Sequence, residues 1–170
     1  PTVVFFGGGH VAKASARVVK ECGFRVLVCD DRPEFSSQQE HPGAHAVFAG
    51  SWEDAVAHIA PAEHHYLVIL TRGHSDDACV LRAIHAQGLQ PKYLGMLGSR
   101  GKKAGLTRLL EDEGIPRERL DGVRTPIGLE IGARSSGEIA VSLGAELVRL
   151  RRQGRLEPLP ARKERHRKTV

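Results

Sequence analysis

Short apolar runs alternate with segments in which apolar side chains recur every three or four residues, along most of the chain. Runs of the first kind are typical of the buried strands of a parallel sheet, and segments of the second kind are typical of the helices that cover it. The runs predict six strands, at 3–6, 25–30, 44–49, 66–71, 93–97 and 123–128. The last run is the weakest, because Pro126 interrupts it.

The segments between these runs carry the end signals of helices. The helices are predicted at 10–22, at 52–59, up to about 87, up to 113, and from 136 onward. Ser75 or Asp76 is expected to cap the third helix. Ser135 and Glu138 have the spacing of a capping box, in which each side chain satisfies a free N–H group of the other residue's backbone.

This alternation predicts one α/β domain with a Rossmann-like, doubly wound, mainly parallel sheet of about six strands. A length of 170 residues suits a single domain with a proper core. We expect the strand order 3-2-1-4-5-6, with the domain at 1–153 and a basic, disordered tail at 154–170.

A glycine cluster joins the first predicted strand to the first predicted helix. Gly7, Gly8, Gly9 and His10 follow the apolar run directly. Gly7 would allow the tight turn, Gly9 would let the backbone approach a pyrophosphate, and Ala12 is small enough for the helix to pack on the strand. Because the free N–H groups at a helix start attract anions, these five residues are predicted to bind a cofactor phosphate.

An acidic residue ends the second predicted strand. Asp30 lies 23 residues after Gly7, close to the spacing of about 20 expected for a carboxylate that binds a ribose hydroxyl. Asp31 is an alternative, and Arg32 keeps a 2′-phosphate possible. An ordinary α/β turn without a ligand is the competing interpretation.

Polar side chains also follow the fourth predicted strand. Thr71, Arg72, His74 and Asp77 would face the same crevice as the glycine cluster, since ligands bind where the strand order reverses. His10 and His74 could meet there, with Asp77 orienting one imidazole. Their spacing fits no standard metal motif, so contact with an anion or ligand is predicted and no metal site is expected.

A second glycine-containing loop follows the fifth predicted strand. Gly98, Ser99 and Arg100 resemble a second phosphate cradle, and Lys102 and Lys103 add positive charge. A helix start with exposed cations is the alternative interpretation.

Composition narrows the functional class. Residues 1–148 carry 16 basic and 18 acidic side chains, so the net charge of +5 comes from the end of the chain, and binding to nucleic acid is not expected. No apolar run approaches the roughly 20 residues that cross a bilayer. The three cysteines lack C-x-x-C spacing, which favours reduced thiols in a cytoplasmic protein.

Four motifs in order, together with part of the last helix, carry a resemblance to a known family. They are Gly7–Ala12, Thr71–His74, Leu97–Arg100 and Pro126–Ala133, with Glu138–Ser142 in the helix. From about Val3 to Leu150, the chain resembles the C-terminal Rossmann-like domain of the xanthine dehydrogenase accessory protein family (the XdhC/CoxI type). Full-length members usually carry another domain ahead of this one.

The resemblance implies a role in the maturation of molybdenum hydroxylases such as xanthine dehydrogenase. Members of the family are implicated in binding the molybdenum cofactor (molybdopterin), protecting it while its sulfido ligand is installed, and passing it to the apoenzyme. It therefore implies an apo-molybdenum hydroxylase and a cysteine desulfurase as partners. The pterin phosphate, or a dinucleotide, would occupy the cradle at 7–10, and such an accessory protein needs no catalytic turnover.

Two other functions stay open at this point. An NAD(P)-dependent oxidoreductase would use the same nucleotide fold, but no Tyr has a Lys four residues later, as single-domain dehydrogenases often do. A nucleotide-sensing regulatory module is the other alternative. A homodimer also stays open.

Overall fold

A computed structural model describes residues 1–59 and 64–156. Its centre is one sheet of five parallel strands in the order β3-β2-β1-β4-β5. The strands are β1 (Thr2–Phe6), β2 (Arg25–Asp30), β3 (Ala46–Ala49), β4 (Tyr66–Ile69) and β5 (Tyr93–Met96). The predicted α/β class and the doubly wound order are confirmed for these five strands.

Six α-helices in the described residues cover both faces of the sheet. They are α1 (His10–Glu21), α2 (Trp52–Ile59), α3 (His74–Ala86), α4 (Arg100–Asp112), α5 (Arg117–Asp121) and α6 (Ser136–Gln153). The helices α1 and α6 pack on one face, and α2, α3 and α4 pack on the other. Two hydrophobic cores result, which the sheet separates.

The central strands are buried on both faces, which explains their unbroken apolar character. In β1 the four residues from Val3 to Phe6 have no exposed surface, and the four residues of β4 are buried as well. Burial of this kind contributes about 25 cal/mol per Å² of apolar surface, so these strands anchor the domain. They also fix the positions of the loops that follow them.

The sixth predicted strand is absent from the described residues, so the prediction of about six strands is wrong by one. In the segment 123–128, Arg124 alone bridges to Gly95 of β5. Two backbone hydrogen bonds hold this bridge, with Leu94 and Met96 as the partners. The ladder cannot continue at Pro126, because proline has no N–H group. The segment 123–128 therefore adds a single bridge to the edge of β5.

The predicted helix ends agree with the structure in α6 but not in α3. The capping box of Ser135 and Glu138 is present. The helix α3 begins one residue before Ser75, with Gly73 as an N-cap that has no side chain to offer, so the prediction of Ser75 or Asp76 as the cap is wrong. Asp76 is instead paired with Arg72.

The end of the last helix lies near the predicted domain boundary. A left-handed glycine, Gly154, follows α6 directly. Of the predicted basic tail at 154–170, residues 157–170 lie outside the described residues. Within the described ranges, none of the helices has the length and apolar character needed to cross a bilayer.

Candidate functional site

The polar loops meet at the carboxyl edge of the sheet, where β1 and β4 lie side by side. From β1 the chain proceeds to β2 on one side, and from β4 it proceeds to β5 on the other. Such a switch point leaves a crevice between the two departing loops, and it is the common ligand position in open α/β sheets. The two loops touch: a Cβ atom placed on Gly7 would lie 2.4 Å from the carbonyl oxygen of Leu70.

The glycine turn leaves the start of α1 open. Gly7 has a φ of +113°, a backbone conformation that side-chain-bearing residues rarely adopt, and its N–H donates to the carbonyl of Cys29 at 2.7 Å. Gly9 is the N-cap, and no side chain caps the helix. A Cβ atom on Gly9 would meet no atom within 4 Å. Ala12 is fully buried against the sheet, as expected. The first N–H groups of α1 therefore face open space.

The carboxylate of Asp30 is already engaged by donors of this chain. Its oxygens accept hydrogen bonds from the N–H of Gly8 at 2.7 Å, from the N–H of Arg32 at 2.9 Å, and from the Arg32 guanidinium at 2.9 and 3.0 Å. Four donors match the acceptor capacity of a carboxylate. A ribose hydroxyl could bind Asp30 only by displacing one of them, so its predicted role in cofactor binding stays a prediction.

Two opposing effects act on the pKa of Asp30. Burial raises it, because only 1% of the residue is exposed. The hydrogen bonds from the Arg32 side chain, from Gly8 and from the Arg32 backbone together lower it by more, so the pKa lies below the ordinary value of an aspartate. Asp30 is therefore ionised near neutral pH. The same pairing occupies the guanidinium that the sequence pattern leaves available for a 2′-phosphate.

A buried histidine supports the glycine turn from below. His41 is 1% exposed, and its Nε2 lies 2.8 Å from the carbonyl oxygen of Phe35. The Phe35 carbonyl in turn lies against Gly8, where a Cβ atom would come within 2.1 Å of it. No sequence signal points to this role, and our expectation that His41 lies on a surface turn is wrong. Its burial lowers its pKa.

Arg72 forms a bridge across the mouth of the crevice. Its guanidinium donates to Asp31 at 2.7 Å, in the loop after β2, and to Asp76 at 3.2 Å, in the first turn of α3. Arg72 is about half exposed, so this bridge lies at the surface. The loops that follow β2 and β4 are thereby joined.

The predicted histidine pair is not formed. His10 and His74 are exposed first residues of α1 and α3. Asp77 does not orient an imidazole: its Oδ1 accepts a hydrogen bond from the Thr71 hydroxyl at 2.5 Å, and its Oδ2 pairs with the ammonium group of Lys102. Asp77 therefore links the loop after β4 to α4.

The loop after β5 is built differently from a phosphate cradle with spare cations. The Ser99 hydroxyl caps α4 by accepting from the N–H of Lys102 at 3.1 Å. Arg100 is the exposed first residue of the helix. Lys103 points elsewhere, because its ammonium donates to the carbonyls of Asp121 and Val123. Of the two predicted lysines, only Lys102 lies at the crevice.

A buried carboxylate that sequence patterns do not reveal fixes the loop containing 126–133. Glu146 in α6 has no exposed surface. It accepts hydrogen bonds from the Tyr93 hydroxyl at 2.6 Å, from the N–H of Gly128 at 2.7 Å, and from the Arg124 guanidinium. A lone glutamate on a helix gives no sequence signal for such long-range partners. Burial, the charge of Glu146 and its hydrogen bond together raise the pKa of Tyr93 well above the ordinary value.

The remaining features give no second site of comparable chemistry in the part of the chain that the structure describes. Burial, and then the charge of Asp30, raise the pKa of Cys29 to about 12, so this thiol behaves as a small apolar side chain. A groove of about 650 Å³ follows the outer edge of β5, and its main lining lies outside the predicted cofactor-binding residues. In the described ranges, no group of three or more His, Cys, Asp or Glu side chains could hold a metal ion.

Comparisons with known proteins agree with this architecture. The chain is 29% identical over 153 residues to a protein from Bacillus subtilis described as a probable xanthine dehydrogenase subunit, which covers 90% of this chain and 44% of that protein. It is 29% identical over 152 residues to the uncharacterized protein YqeB from Escherichia coli, covering 89% of this chain and 27% of that protein.

A solved structure is similar as well. A crystal structure of a xanthine dehydrogenase from Bacillus halodurans matches with a TM-score of 0.78 and 25% identity, over 91% of this chain and 43% of that chain. The chain thus spans less than half the length of these relatives. The family model described as the XdhC Rossmann domain matches residues 3–147, and the chain therefore belongs to the XdhC Rossmann-domain family.

Proposed function

We propose that this domain binds the molybdenum cofactor in the crevice between β1 and β4 and assists its insertion into an enzyme of the xanthine dehydrogenase type. The open start of α1 carries this proposal. Its N-cap is a glycine, its first N–H groups have no side-chain cap, and the space beside Gly9 is free. The family and the names of its relatives indicate the class of enzyme served.

The residues present fit a phosphate group. Unpaired amides and the positive end of a helix dipole bind anions without a charged side chain, with a dipole contribution of about 0.3–1 kcal/mol at an exposed helix end. Asp30 fixes the amide of Gly8, and Gly7 places the turn against the loop after β4. When bound, the cofactor supplies a pterin with a phosphate and the molybdenum centre that the target enzyme needs.

The two dinucleotide-based alternatives, an NAD(P)-dependent oxidoreductase and a nucleotide sensor, receive less support from the same geometry. The position expected for the adenosine ribose is lined by Asp30, whose acceptors are filled, and by Arg32, whose guanidinium lies 3.8 Å from the centre of the Phe35 ring. A dinucleotide would have to displace these contacts. A pterin phosphate at the helix start would leave them in place.

The partners follow from the proposal. An apoenzyme of the xanthine dehydrogenase type would receive the cofactor. A cysteine desulfurase would supply the sulfur for the sulfido ligand, and a second copy of the chain is a further candidate partner.

Retention of the cofactor tests the proposal directly. Molybdenum cofactor released anaerobically from a purified molybdenum enzyme is incubated with the protein, and the retained pterin is measured by fluorescence after ultrafiltration and oxidation. The wild type should retain it, and Gly9→Val should weaken retention at least about tenfold, because a branched side chain would cover the amides.

Gly105→Val is the matched control, since a Cβ atom at Gly105 also meets no atom within 4 Å but lies in the middle of α4. It should retain the cofactor as the wild type does. NAD and NADP serve as competing ligands. Retention of either dinucleotide in place of the pterin, or equal retention by Gly9→Val, would overturn the proposal.

A further inference from the structure

Lys102 lies at the crevice in a conformation that the loop after β5 makes possible. It belongs to the first turn of α4, yet its side chain is only 18% exposed. The aliphatic part of this side chain lies over Gly98, where a Cβ atom would come within 2.7 Å of the Lys102 Cδ. Gly98 has a φ of +158°. A glycine at this place therefore keeps the lysine against the protein.

Two acceptors hold the ammonium group. One is the Oδ2 of Asp77 in the first turn of α3, and the other is the carbonyl oxygen of Leu97, at 3.3 Å. Asp77 is 1% exposed, and its second oxygen is fixed by the Thr71 hydroxyl. Residues from the end of β4, from α3 and from the loop after β5 thus determine where this cation lies.

This placement is not what helix stability favours. A positive charge in the first turn opposes the helix dipole, and partial burial removes water from an ammonium group that is strongly hydrated in solution. An ammonium group has three N–H donors. Asp77 and Leu97 account for two of them, and no acceptor within residues 1–59 and 64–156 accounts for the third.

We propose that Lys102 is a ligand-binding residue that donates its third hydrogen bond to an anionic oxygen of the bound cofactor, and that Asp77 and Thr71 are positioning residues for it. This inference rests on the proposed function, because it assumes a ligand in the same crevice. It adds a side-chain contact to the backbone contacts of the glycine turn. The anionic oxygen belongs either to the phosphate or to the pterin portion of the cofactor.

The test uses the oxidised, fluorescent pterin of the cofactor, with its phosphate and after phosphatase treatment. Dissociation constants are measured for the wild type, Lys102→Met and Lys20→Met. Lys20 is an exposed residue near the end of α1, so the control makes the same change of charge away from the crevice. Lys102→Met should weaken binding roughly tenfold, the effect of losing one charged hydrogen bond, and Lys20→Met should not.

The two pterins identify the oxygen. A contact to the phosphate weakens binding of the phosphorylated pterin alone, and a contact to the pterin portion weakens binding of both. Equal binding of both pterins by the wild type and Lys102→Met overturns the inference but not the proposed function. Failure of the wild type to bind either pterin overturns both.

A double-mutant cycle separates positioning from stability. Asp77→Asn adds one net positive charge, so a purely electrostatic site would bind the phosphorylated pterin more tightly. A positioning role predicts weaker binding by about three- to tenfold, and no further loss when Asp77→Asn is combined with Lys102→Met. Thr71→Val repeats the cycle if Asp77→Asn fails to fold. Equal losses in both backgrounds would assign Asp77 and Thr71 a structural role only.

Discussion

The two halves of the crevice hold a cation against a buried carboxylate in different ways. In the glycine-turn half, which comprises 7–10, Asp30 and Arg32, the carboxylate binds a cation two residues away and an amide of the turn. In the lysine half, which comprises Thr71, Asp77 and 97–102, the carboxylate binds a cation from another helix. Both carboxylates are 1% exposed.

The difference separates a structural pair from a binding pair. Arg32 is neutralised by two hydrogen bonds and lies against the Phe35 ring, so the glycine-turn half offers a ligand its backbone amides. Lys102 keeps one donor after its two contacts, so the lysine half offers a side chain. Pairing a buried charge avoids the cost of leaving it alone, and the geometry of the pair decides what remains for a ligand.

The largest effect is expected where the two halves touch. Gly7→Ala should lower the free energy of unfolding by about 3 kcal/mol, because its Cβ atom would meet the Leu70 carbonyl and its φ is positive. Gly9→Ala should change it by only a few tenths, since that position is open. Urea unfolding measures both. Equal losses would show that the halves are not in contact through Gly7.

A smaller loss is expected from the structural pair. Asp30→Asn should lower the free energy of unfolding by about 2–3 kcal/mol at pH 7, because it leaves the Arg32 charge without its partner. The folded-state pKa of Asp30 is lowered, so its stabilisation is complete above the unfolded-state pKa and is lost as the pH falls through the folded-state value.

Urea unfolding at pH 7 and at about pH 3 therefore checks the sign. The difference in stability between the wild type and Asp30→Asn should shrink at the lower pH. A difference that stays constant or grows on acidification would mean that the charge of Asp30 does not stabilise this half.

The smallest effect is expected at the surface bridge between the halves. Arg72→Gln should cost about 0.5 kcal/mol at low ionic strength, since exposed ion pairs contribute little. The difference should disappear near 1 M salt, where the screening length is about 3 Å. Thermal unfolding at both salt concentrations measures it. A loss that persists in high salt would indicate packing by Arg72 in place of charge pairing.

Sequence patterns predicted the framework of the fold well, because local signals determine it. The apolar runs of β1 and β4, the turn at Gly7 and the capping box at Ser135 are each encoded within a few residues. The sixth strand failed because a short apolar run was given more weight than Pro126. The start of α3 failed because the acids expected to cap it bind other partners.

The site was only partly predictable. The glycine turn, Asp30 and Thr71 were located correctly at the crevice, because the ends of parallel strands meet at one edge. Which cation pairs with which acid depends on side-chain directions between distant elements, as for Asp77 with Lys102. The burial of His41 and Glu146 depends on tertiary packing, for which a single sequence carries no periodic signal.

The contact between Glu146 and Gly128 has a consequence for exchange with deuterated solvent. Gly128 lies in an irregular segment, where amides usually exchange quickly, yet its N–H donates to a carboxylate with no exposed surface. Its proton can therefore leave only when α6 separates from the sheet, which makes it as slow as protons in the central strands. One amide in an otherwise fast-exchanging loop would thus report the opening of the C-terminal helix.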